Sequence, residues 1–539
     1  MKNFRRLNDV LGWLTFAIAS VVYLLTIEPT TSWWDCGEYI STAFKLQVGH
    51  PPGAPLFQLI GRFFSLFAFG DVTQVAKMVN IMSALSSSFT ILFLFWTITM
   101  LGLKFVKEDE MTVGQGFAIL GSGLVGAMAY TFSDSFWFSA VEGEVYAMSS
   151  FFTAIVFWAI LKWERVHDQP HSLKWILLIA FLVGLSVGVH LLNLLTIPAI
   201  ALVIYFRKYQ ANWKGIIYTL IISFFVLAFI MWWLIPWTVA LAGKYEIAFV
   251  NSLGLPFNTG TIFYFILLIG VLVWGIRFTY REKHTIVEYI TGGIMLLLLS
   301  VFSVISFIAF LVIIGAYVWY KQGSGSRTNR NQLRSLVNTG LLSIAFMLIG
   351  YSSFFLLVIR ANANTPINEN DPSDAVSLLS YLNREQYGSW PIFYGQYYNA
   401  PLDQQNPYKD GTPIYVKDHK SGKYKITDDR KNSIANYDRR FCTIFPRMWS
   451  NQKQSHISSY KSWGKIKGIP ISVTDDEGKA QTIIKPTFGE NLRFFFSYQI
   501  GHMYMRYFMW NFAGRQNDIE GHGGIRYGNW ISGIPFIDN

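Results

Sequence analysis

The stretch that decides the fold is Thr31–Pro55, TSWWDCGEYISTAFKLQVGHPPGAP, which follows directly on an apolar run that ends near Thr26. It places Asp35 and Glu38 where the first predicted membrane span returns to water. Carboxylates are costly to place beside lipid, so their position predicts chemistry at the membrane surface.

The residues before this stretch predict a membrane anchor. Met1–Val10 carries Lys2, Arg5 and Arg6. The apolar run after it has about 18 residues, close to the length that crosses a ~30 Å hydrocarbon core. No small-residue cleavage site follows, so we expect an uncleaved signal anchor.

The composition of the whole chain is that of a bilayer protein. Of its 539 residues, 52% are hydrophobic and only 14% are charged, which lies outside the range of soluble domains. The net charge of +11 would suit nucleic acid, but the Lys and Arg residues form no basic stripe and we expect no nucleic-acid partner. The only cysteines, Cys36 and Cys442, exclude a disulfide framework and a Cys-rich zinc site.

Apolar runs near the spanning length recur as far as Ile359 and predict about eleven transmembrane helices. After the first, they lie at Met78–Leu103, Gly114–Phe132, Val145–Leu161, Trp175–Val189, Leu191–Phe206, Gly215–Trp237, Thr261–Ile276, Ile286–Phe302, Val304–Tyr320 and Ser335–Ile359. Two pairs of runs are separated only by short turns, predicted at His190–Asn193 and near Phe302–Ser303. Leu56–Phe69 carries Arg62 at its middle, so we expect it to lie flat on the outer surface.

Basic residues predict the orientation of the chain. With a cytoplasmic N-terminus, the inside loops hold eighteen Lys and Arg residues and the outside loops before the tail hold four. Such residues accumulate in short cytoplasmic loops. Lys321–Arg334, rich in Gly, Ser, Asn and basic residues, is predicted to be a cytoplasmic linker.

The composition changes after Ile359, and the polar, Tyr-rich tail 360–539 suits one soluble domain. An odd number of crossings places it outside the cytoplasm. We predict helices at Asp374–Arg384, with Asp371 or Ser373 near its cap, and at Asn491–Met509. Short strands are predicted within Tyr408–Lys425 and Ile471–Lys485. The predicted domains are therefore 1–359, with its first outer loop at 31–77, and an α+β domain at 360–539.

The polar residues of the predicted outer loops are the candidate site. If Trp33–Val48 is helical, one face is shared by Asp35, Glu38, Thr42 and Lys45. A solvated amphipathic surface helix is the alternative. In the loop before the fourth span, Glu142 and Glu144 flank Gly143, and Tyr146 follows; either acid would also serve as a helix-dipole partner.

Further candidates are His190 and Asn193 at an outer turn, where a lone His more often bonds a helix end. These acids and the His leave a divalent metal open, although they show no metal-ligand spacing. Arg360 and Arg384 follow the last span. Guanidinium groups grip phosphate in bidentate fashion, and snorkelling to lipid headgroups is the alternative.

The chain resembles a known family at these motifs. They are DCGE (35–38) with HPPGAPL (50–56), EVY (144–146), RANANTPINENDP (360–372), REQYG (384–388) and RYFMWNF (506–512). These are similar to the large Bacteroidota membrane proteins of glycosyltransferase family 117, relatives of the transmembrane protein 260 type O-mannosyltransferases. Many relatives continue into further spans, so a short form, a fragment and half of a split enzyme are all open.

The resemblance implies a GT-C type glycosyltransferase of the bacterial inner membrane, with a polytopic α-helical fold. Such an enzyme moves a sugar from a polyprenyl phosphate to a hydroxyl on the periplasmic side, here of Ser or Thr in an exported protein. Asp35 falls on the position of the catalytic base, and Glu38 would orient it. The leaving phosphate needs cations, for which we consider Arg360, Arg384 and Lys45, and His50 would fix the loop over the sugar.

Two other classes of protein stay open. A transporter or lipid flippase would also be polytopic, but it predicts inverted repeats and charges at the bilayer midplane, which the sequence does not show. A non-catalytic subunit of an envelope secretion or motility complex would use the tail for docking.

Overall fold

The structure is a computed structural model that describes residues 3–308, 311–312, 327–474, 479–517, 519 and 528–538. The chain divides into two compact units, of which the first comprises Met1–Arg384 and Lys417–Tyr424 and the second Glu385–Val416 and Lys425–Asn539. Residues 360–384 therefore group with the helical part. The division at residue 360 stays a prediction.

The first unit is helical. Its helices are α1 (Phe4–Leu25), α2 (Cys36–Lys45), α3 (Pro55–Ser65), α4 (Val75–Gly102), α5 (Val113–Thr131), α6 (Asp134–Ala140), α7 (Val145–Val166), α8 (Leu173–Val187), α9 (Ile197–Lys208), α10 (Trp213–Ala228), α11 (Ile235–Ile247), α12 (Thr259–Tyr280), α13 (Ile286–Ser300), α14 (Arg327–Tyr351), α15 (Phe355–Ala361) and α16 (Ala375–Leu382).

Eight helical segments of the described part are long and apolar enough to cross a membrane. They are Phe4–Leu25, Val72–Phe105, Val113–Thr131, Val145–Val166, Leu191–Lys208, Trp213–Ser252, Thr259–Tyr280 and Asn331–Ala361. This confirms a polytopic helical membrane protein. The count of about eleven stays a prediction, since α8 and α13 have 15 residues each and most of 304–320 lies outside the described residues.

The predicted turn at His190–Asn193 is confirmed, because α8 ends at Val187 and a 3₁₀ turn at Leu191–Thr196 leads into α9. The turn near Phe302–Ser303 is also present, since α13 ends at Ser300 and helical backbone resumes at residue 304. The linker prediction was wrong for its second half. There α14 already begins at Arg327, and Arg334 donates to the last carbonyls of α12, Thr279 and Tyr280. A basic side chain bonded to these carbonyls stabilises the end of α12.

Two helices of the first unit meet at their glycines. A Cβ on Gly184 of α8 would collide with the carbonyl oxygen of Met347, and one on Gly350 of α14 would lie 2.5 Å from the amide nitrogen of Leu185. Small residues allow such close backbone packing between membrane helices.

The segment predicted to lie flat, Leu56–Phe69, forms α3 and packs Phe57 and Gln58 inward. Arg62 donates to the carbonyl of Phe44 at 2.7 Å, and its position relative to lipid stays a prediction.

The first unit also includes the tip of a hairpin from later in the chain, Lys417–Tyr424. Tyr424 exchanges two hydrogen bonds with the side-chain amide of Asn251, both 2.8 Å long. Its hydroxyl lies 3.2 Å from Asp374 Oδ2 and 3.4 Å from Glu246 Oε1. Lys417 Nζ lies 3.1 Å from Asp374 Oδ2. The tip thus brings a hydroxyl and an ammonium group to two buried carboxylates.

Helix α16 confirms the helix predicted at Asp374–Arg384, with one correction to its cap. Asp374 itself caps the helix, because its Oδ1 accepts the N–H groups of Val376 and Ser377. The Ser377 hydroxyl accepts the N–H of Asp374 in return, which completes a capping box.

The second unit combines short strands with helices. Its helices are α17 (Gln454–Gly464), α18 (Phe488–Phe494), α19 (Arg506–Phe512) and α20 (Pro535–Asp538). The strands of the tail are β1 (Tyr394–Gln396), β2 (Tyr408–Lys409), β3 (Ile414–Asp418), β4 (Lys423–Asp428), β5 (Ile434–Ala435), β6 (Cys442–Ile444), β7 (Ile469–Thr474), β8 (Ala480–Lys485), β9 (Gly514–Arg515) and β10 (Trp530–Ile531), and they pair as β1–β6, β2–β5, β3–β4, β7–β8 and β9–β10.

The strands predicted within Tyr408–Lys425 and Ile471–Lys485 are confirmed. The predicted helix Asn491–Met509 is longer, because α18 continues through π-helical turns at Phe495–Met505 into α19. Thr487 and Glu490 form the capping box at its start. The core of the second unit contains Tyr397, Tyr398, Met448, Tyr460 and Phe494.

The predicted orientation gives a direct test of topology. A reporter fused after Arg330 is expected to read cytoplasmic, and one fused after Asn539 periplasmic, because basic residues favour the inside loops by eighteen to four. Alkaline phosphatase and green fluorescent protein fusions measure the two sides. A cytoplasmic reading after Asn539 would contradict the odd number of crossings and place the error at 286–320 or at Leu56–Phe69.

Candidate active site

Asp35 lies at the start of α2 and faces solvent. The chain turns into the helix at Trp34, whose φ is 64°, and the Asp35 side chain is 57% exposed. The predicted helix Trp33–Val48 was too long, since α2 covers Cys36–Lys45 and Leu46 ends it in a left-handed conformation. Asp35 is therefore presented at a helix end.

The predicted polar face of α2 is only partly solvated. Thr42 is fully buried, and its hydroxyl donates to the carbonyl oxygen of Glu38 at 2.8 Å. Lys45 is exposed in the last turn. Ten residues at 1.5 Å each separate Lys45 from Asp35 by roughly 15 Å, so the two side chains start from opposite ends of the helix.

His50 bridges the two carboxylates of α2. Its Nδ1 lies 3.0 Å from Glu38 Oε2, and its Nε2 lies 3.9 Å from Asp35 Oδ2. Its backbone N–H donates to Glu38 Oε1 at 2.6 Å. Glycine at position 49 allows this approach, because a Cβ there would lie 2.5 Å from Glu38 Oε1. The imidazole is thus held on one side by Glu38 and directs its other nitrogen toward Asp35.

The charges of Glu38 and His50 stabilise each other. Burial acts to raise the pKa of Glu38, but the hydrogen bonds from the side chain and backbone of His50 outweigh it and hold that pKa below its usual value. The hydrogen bond to Glu38 raises the pKa of His50, against the effect of burial. An imidazolium beside a carboxylate is the state that both shifts favour.

The His-Pro-Pro turn is clamped by residues from far along the chain. The Tyr381 hydroxyl of α16 donates to the carbonyls of Gly49 at 2.6 Å and His50 at 3.2 Å. Val48 donates to the Ile367 carbonyl and accepts from the Glu369 N–H, both at 3.0 Å. The motif that begins at Arg360 therefore holds the first loop in place by backbone pairing.

Glu142 and Glu144 are both buried, and the charge of Asp35 acts on Glu144. The Ser32 hydroxyl donates to Glu142, while the pKa of Glu142 is raised by burial. Burial, and then the charges of Glu142 and Asp35, raise the pKa of Glu144 to about 7. Glu144 is thus the carboxyl group of the site that changes charge near neutral pH.

His190 lies beside Tyr146 and interacts electrostatically with Arg384. Its ring lies 5.5 Å from that of Tyr146. The Leu192 N–H donates to His190 Nδ1 at 3.2 Å, so a neutral ring carries its proton on Nε2. Burial and then the charge of Arg384 lower the pKa of His190. His190 therefore offers an Nε2–H donor beside Tyr146, and it interacts electrostatically with the Arg384 guanidinium.

Two predicted site residues, Asn193 and Arg360, make structural contacts. Asn193 is fully buried and donates to the Ser186 hydroxyl at 2.9 Å. Arg360 donates through Nε to the carbonyl of Leu46 at 2.5 Å and through Nη2 to that of Lys45 at 3.2 Å. Arg360 therefore caps the C-terminal end of α2, where a cation interacts favourably with the helix dipole. These contacts place Arg360 at the end of α2 opposite to Asp35, and the pocket expected of Arg360 and Arg384 together stays a prediction.

The sequence reasoning missed Tyr39 and Glu369. The Tyr39 ring lies 5.4 Å from that of His50, and burial followed by the charge of Glu144 raises its pKa. Burial and then the charge of Glu38 raise the pKa of Glu369. Glu369 lies in the motif at 360–372 and was identifiable there. Tyr39 follows Glu38 in the sequence but does not lie on the polar face of α2, so no pattern in the sequence indicated it.

The described residues contain no group of three His, Cys, Asp or Glu side chains arranged to hold a metal ion.

Asn80 shapes the loop before Asp35, because its Nδ2 donates to the carbonyls of Glu28 at 2.6 Å and Thr30 at 2.9 Å.

Substituting Glu144 tests the charge of this site. The folded pKa of about 7 lies above the ordinary value of 4.5. The folded protein therefore loses stability as pH rises from about 4.5 to 7, and the loss persists above 7. Glu144→Gln carries no charge, so it is expected to exceed the native protein at pH 8 by about 1–2 kcal/mol and to match it near pH 4.

Thermal unfolding in detergent across this pH range measures the difference. Glu110→Gln is the control, since the Glu110 side chain is 72% exposed, and it should leave the pH dependence unchanged. Equal pH dependence in Glu144→Gln and the native protein would contradict the assignment.

Comparison with known proteins supports a relationship over the first half of the helical unit. Residues 35–213 match the family profile described as the N-terminal domain of protein O-mannosyl-transferase TMEM260, and residues 388–496 match a family of unknown function, DUF8416. Protein O-mannosyl-transferase tmem260 of Dictyostelium discoideum is 28% identical over 194 residues, which cover 35% of this chain and 22% of that protein. Protein O-mannosyl-transferase TMEM260 of Mus musculus is 29% identical over 175 residues, or 32% of this chain and 22% of that protein.

The aligned segments thus span about a fifth of each relative, as the 22% coverage shows. The matched region includes Asp35, Glu38, His50, Glu144 and His190. Residues 35–213 of this chain are thus similar to the N-terminal domain of the TMEM260-type protein O-mannosyl-transferases.

Proposed function

We propose that this chain is a membrane glycosyltransferase that moves a sugar from a polyprenyl phosphate to a Ser or Thr hydroxyl of an exported protein. The observation that carries the proposal is the exposed carboxylate of Asp35 beside His50, which Glu38 holds by two hydrogen bonds. The names of the relatives support the reaction class.

In the proposed reaction Asp35 accepts the proton of the acceptor hydroxyl as its oxygen attacks the anomeric carbon. The bond from that carbon to the phosphate oxygen breaks, and its electron pair leaves with the phosphate. The new bond forms on the opposite face, so the configuration inverts. A positioned general base contributes about 10²–10⁴-fold. His50 supports the step electrostatically, because its Nε2 lies 3.9 Å from Asp35 Oδ2.

The leaving phosphate gains negative charge and needs donors placed in advance. His190 Nε2–H and Arg384 are the donors we assign to it, because His190 lies beside Tyr146 and interacts electrostatically with Arg384. Electrostatic interaction links Tyr146 in turn to Glu144 and Asp35. We do not assign Arg360 to this role, because its side chain binds the end of α2.

The setting we propose is the bacterial inner membrane, with the N-terminus in the cytoplasm and Asp35 on the periplasmic side. The eighteen-to-four distribution of basic residues supports this orientation. The acceptor hydroxyl of an exported protein would then meet the donor lipid at the outer surface.

An in vitro transfer assay tests the function. The full chain, purified in detergent, is mixed with mannosyl-phosphopolyprenol and a Ser/Thr-rich peptide, and the peptide mass is measured. Mass spectrometry of periplasmic glycoproteins from a strain that lacks this gene identifies the native sugar and acceptor. Unchanged glycoproteins in that strain would refute the proposal and favour a docking subunit.

The two arginines give contrasting predictions. Arg384→Ala is expected to lower kcat/KM for the lipid donor about 10–100-fold, as the loss of a charged hydrogen bond implies. Arg384→Lys should restore only part, because Lys lacks the bidentate fork. Arg360→Ala should instead lower the melting temperature by loosening the end of α2. Donor kinetics and thermal unfolding separate them, and equal kcat/KM for the donor in Arg384→Ala and the native protein would contradict the assignment.

A further inference from the structure

A second candidate site lies within the tail, in a cavity of about 530 Å³. All of its lining residues belong to the second unit. Strands β1 and β6 contribute to one part of it, and β2 and β5 to another. We call it the tail pocket; its functional side chains are Tyr394, Gln396, Lys409, Asn436, Tyr437 and Arg439. Its volume lies within the range of about 300–1,000 Å³ that small-molecule sites occupy.

Paired strands fix the walls of the tail pocket. Gln396 of β1 pairs with Cys442 of β6, and Lys409 of β2 pairs with Ile434 of β5. Asn436 is held between two loops, because its N–H donates to the Pro407 carbonyl at 2.9 Å and its Nδ2 to the Asn406 carbonyl at 2.7 Å. A site on paired strands holds its side chains more firmly than one on open loops.

The tail pocket is cationic. Lys409 and Arg439 line it, and the described lining contains no carboxylate. The neighbouring acid, Asp438, is engaged elsewhere: its Oδ2 accepts from Arg440 Nη2 at 2.6 Å, and its Oδ1 from the Arg440 N–H at 2.8 Å. The positive charge of the cavity is therefore not cancelled by this acid, which favours an anionic ligand.

The uncharged residues that line the tail pocket indicate which kind of anionic ligand it would bind. Tyr394 and Tyr437 offer aromatic faces with hydroxyls at their edge, and such rings combine an apolar face with a polar tip. Gln396 and Asn436 carry amide side chains, which both donate and accept. The amides can donate to and accept from the hydroxyl groups of a ligand. The phenol rings can pack against the apolar C–H faces of a sugar ring.

We propose that the tail pocket binds an anionic saccharide, one that bears a carboxylate or a phosphate. Arg439 and Lys409 bind the anionic group, the amides bind hydroxyls, and the tyrosine rings cover a sugar face. This site goes beyond the proposed transferase activity and does not depend on Asp35. An acidic peptide would use the two cations but would leave the amide and phenol groups without matched hydroxyls, so we favour the sugar.

Binding to the full chain in detergent tests the proposal by isothermal titration. The probes are a diglucuronate oligosaccharide, mannose 6-phosphate, neutral mannobiose and a pentaglutamate peptide. An anionic sugar is expected to bind more than tenfold more tightly than mannobiose, and the tighter of the two anionic probes identifies a uronate or a phosphate. Arg439→Ala and Gln396→Ala should each weaken that binding about tenfold or more.

Two controls make the result specific. Lys461→Ala removes an exposed cation of α17 outside the tail pocket and should leave binding unchanged. Asp35→Asn should also leave it unchanged, so that loss of transfer and loss of binding are separate findings. Tighter binding of pentaglutamate, equal binding of mannobiose, or no binding of any probe would overturn the proposal.

Discussion

Asp35→Asn is expected to lower sugar transfer by about 10²–10⁴-fold while the chain stays folded and inserted. The amide keeps the shape of the carboxylate but does not accept the acceptor proton. Asp35 is more than half exposed and contributes no cap to α2, so the substitution should not destabilise the helix. The transfer assay, with expression and melting temperature measured in parallel, gives the result.

Asp71→Asn is the matched control. Asp71 lies in the same predicted outer loop, and its carboxylate caps a short turn by accepting from the Thr73 N–H at 2.9 Å. Asn serves as a cap about as well as Asp, so activity should persist. Transfer near the native rate by a well-expressed Asp35→Asn variant would remove Asp35 from the role of base.

Lys417→Met is expected to destabilise the first unit by about 2–3 kcal/mol. Asp374 is 5% exposed and Lys417 is 13% exposed, and breaking a buried ion pair leaves a carboxylate without its counter-charge. The expected loss is moderate because Asp374 keeps two backbone N–H donors and the hydroxyl of Tyr424. Denaturant unfolding of the full chain measures the change.

Lys420→Met is the control for this prediction, since Lys420 lies exposed at the turn of the same hairpin and bonds Asp418 only through its backbone N–H. Its effect should remain within about 0.5 kcal/mol. Equal stability of Lys417→Met and the native chain would show that the ion pair contributes nothing to the first unit.

Local signals in the sequence predicted local structure well. Length and apolar character located the helices, because a span needs an uninterrupted apolar run. The turn at His190–Asn193 and the helix after Asp374 were likewise visible, since capping residues and breaks in periodicity are written into a few adjacent positions. The first-loop motif similarly drew attention to Asp35, Glu38 and His50, which the structure brings together.

Contacts between distant segments were not predictable from one sequence. Glu369 pairs with Val48 and Tyr381 with Gly49, and no local pattern specifies partners more than three hundred residues apart. The contacts of Arg360 were not predicted for the same reason, because the residues around it do not indicate its backbone acceptors at the end of α2. Thr42 was placed on a solvated face because helical spacing gives direction and not burial.

The tip of the hairpin also constrains the order in which the chain acquires its structure. Chains generally fold from the N-terminus as they are synthesised, yet the first unit needs Lys417–Tyr424 and the second begins at Glu385. Residues 385–416 must emerge before Tyr424 reaches Asn251, Asp374 and Glu246. The helical unit therefore closes only after synthesis of the second has begun, and a ribosome stalled between Arg384 and Lys417 would hold a helical unit in which Asp374 and Glu246 still lack the Tyr424 hydroxyl and Asp374 the Lys417 ammonium group.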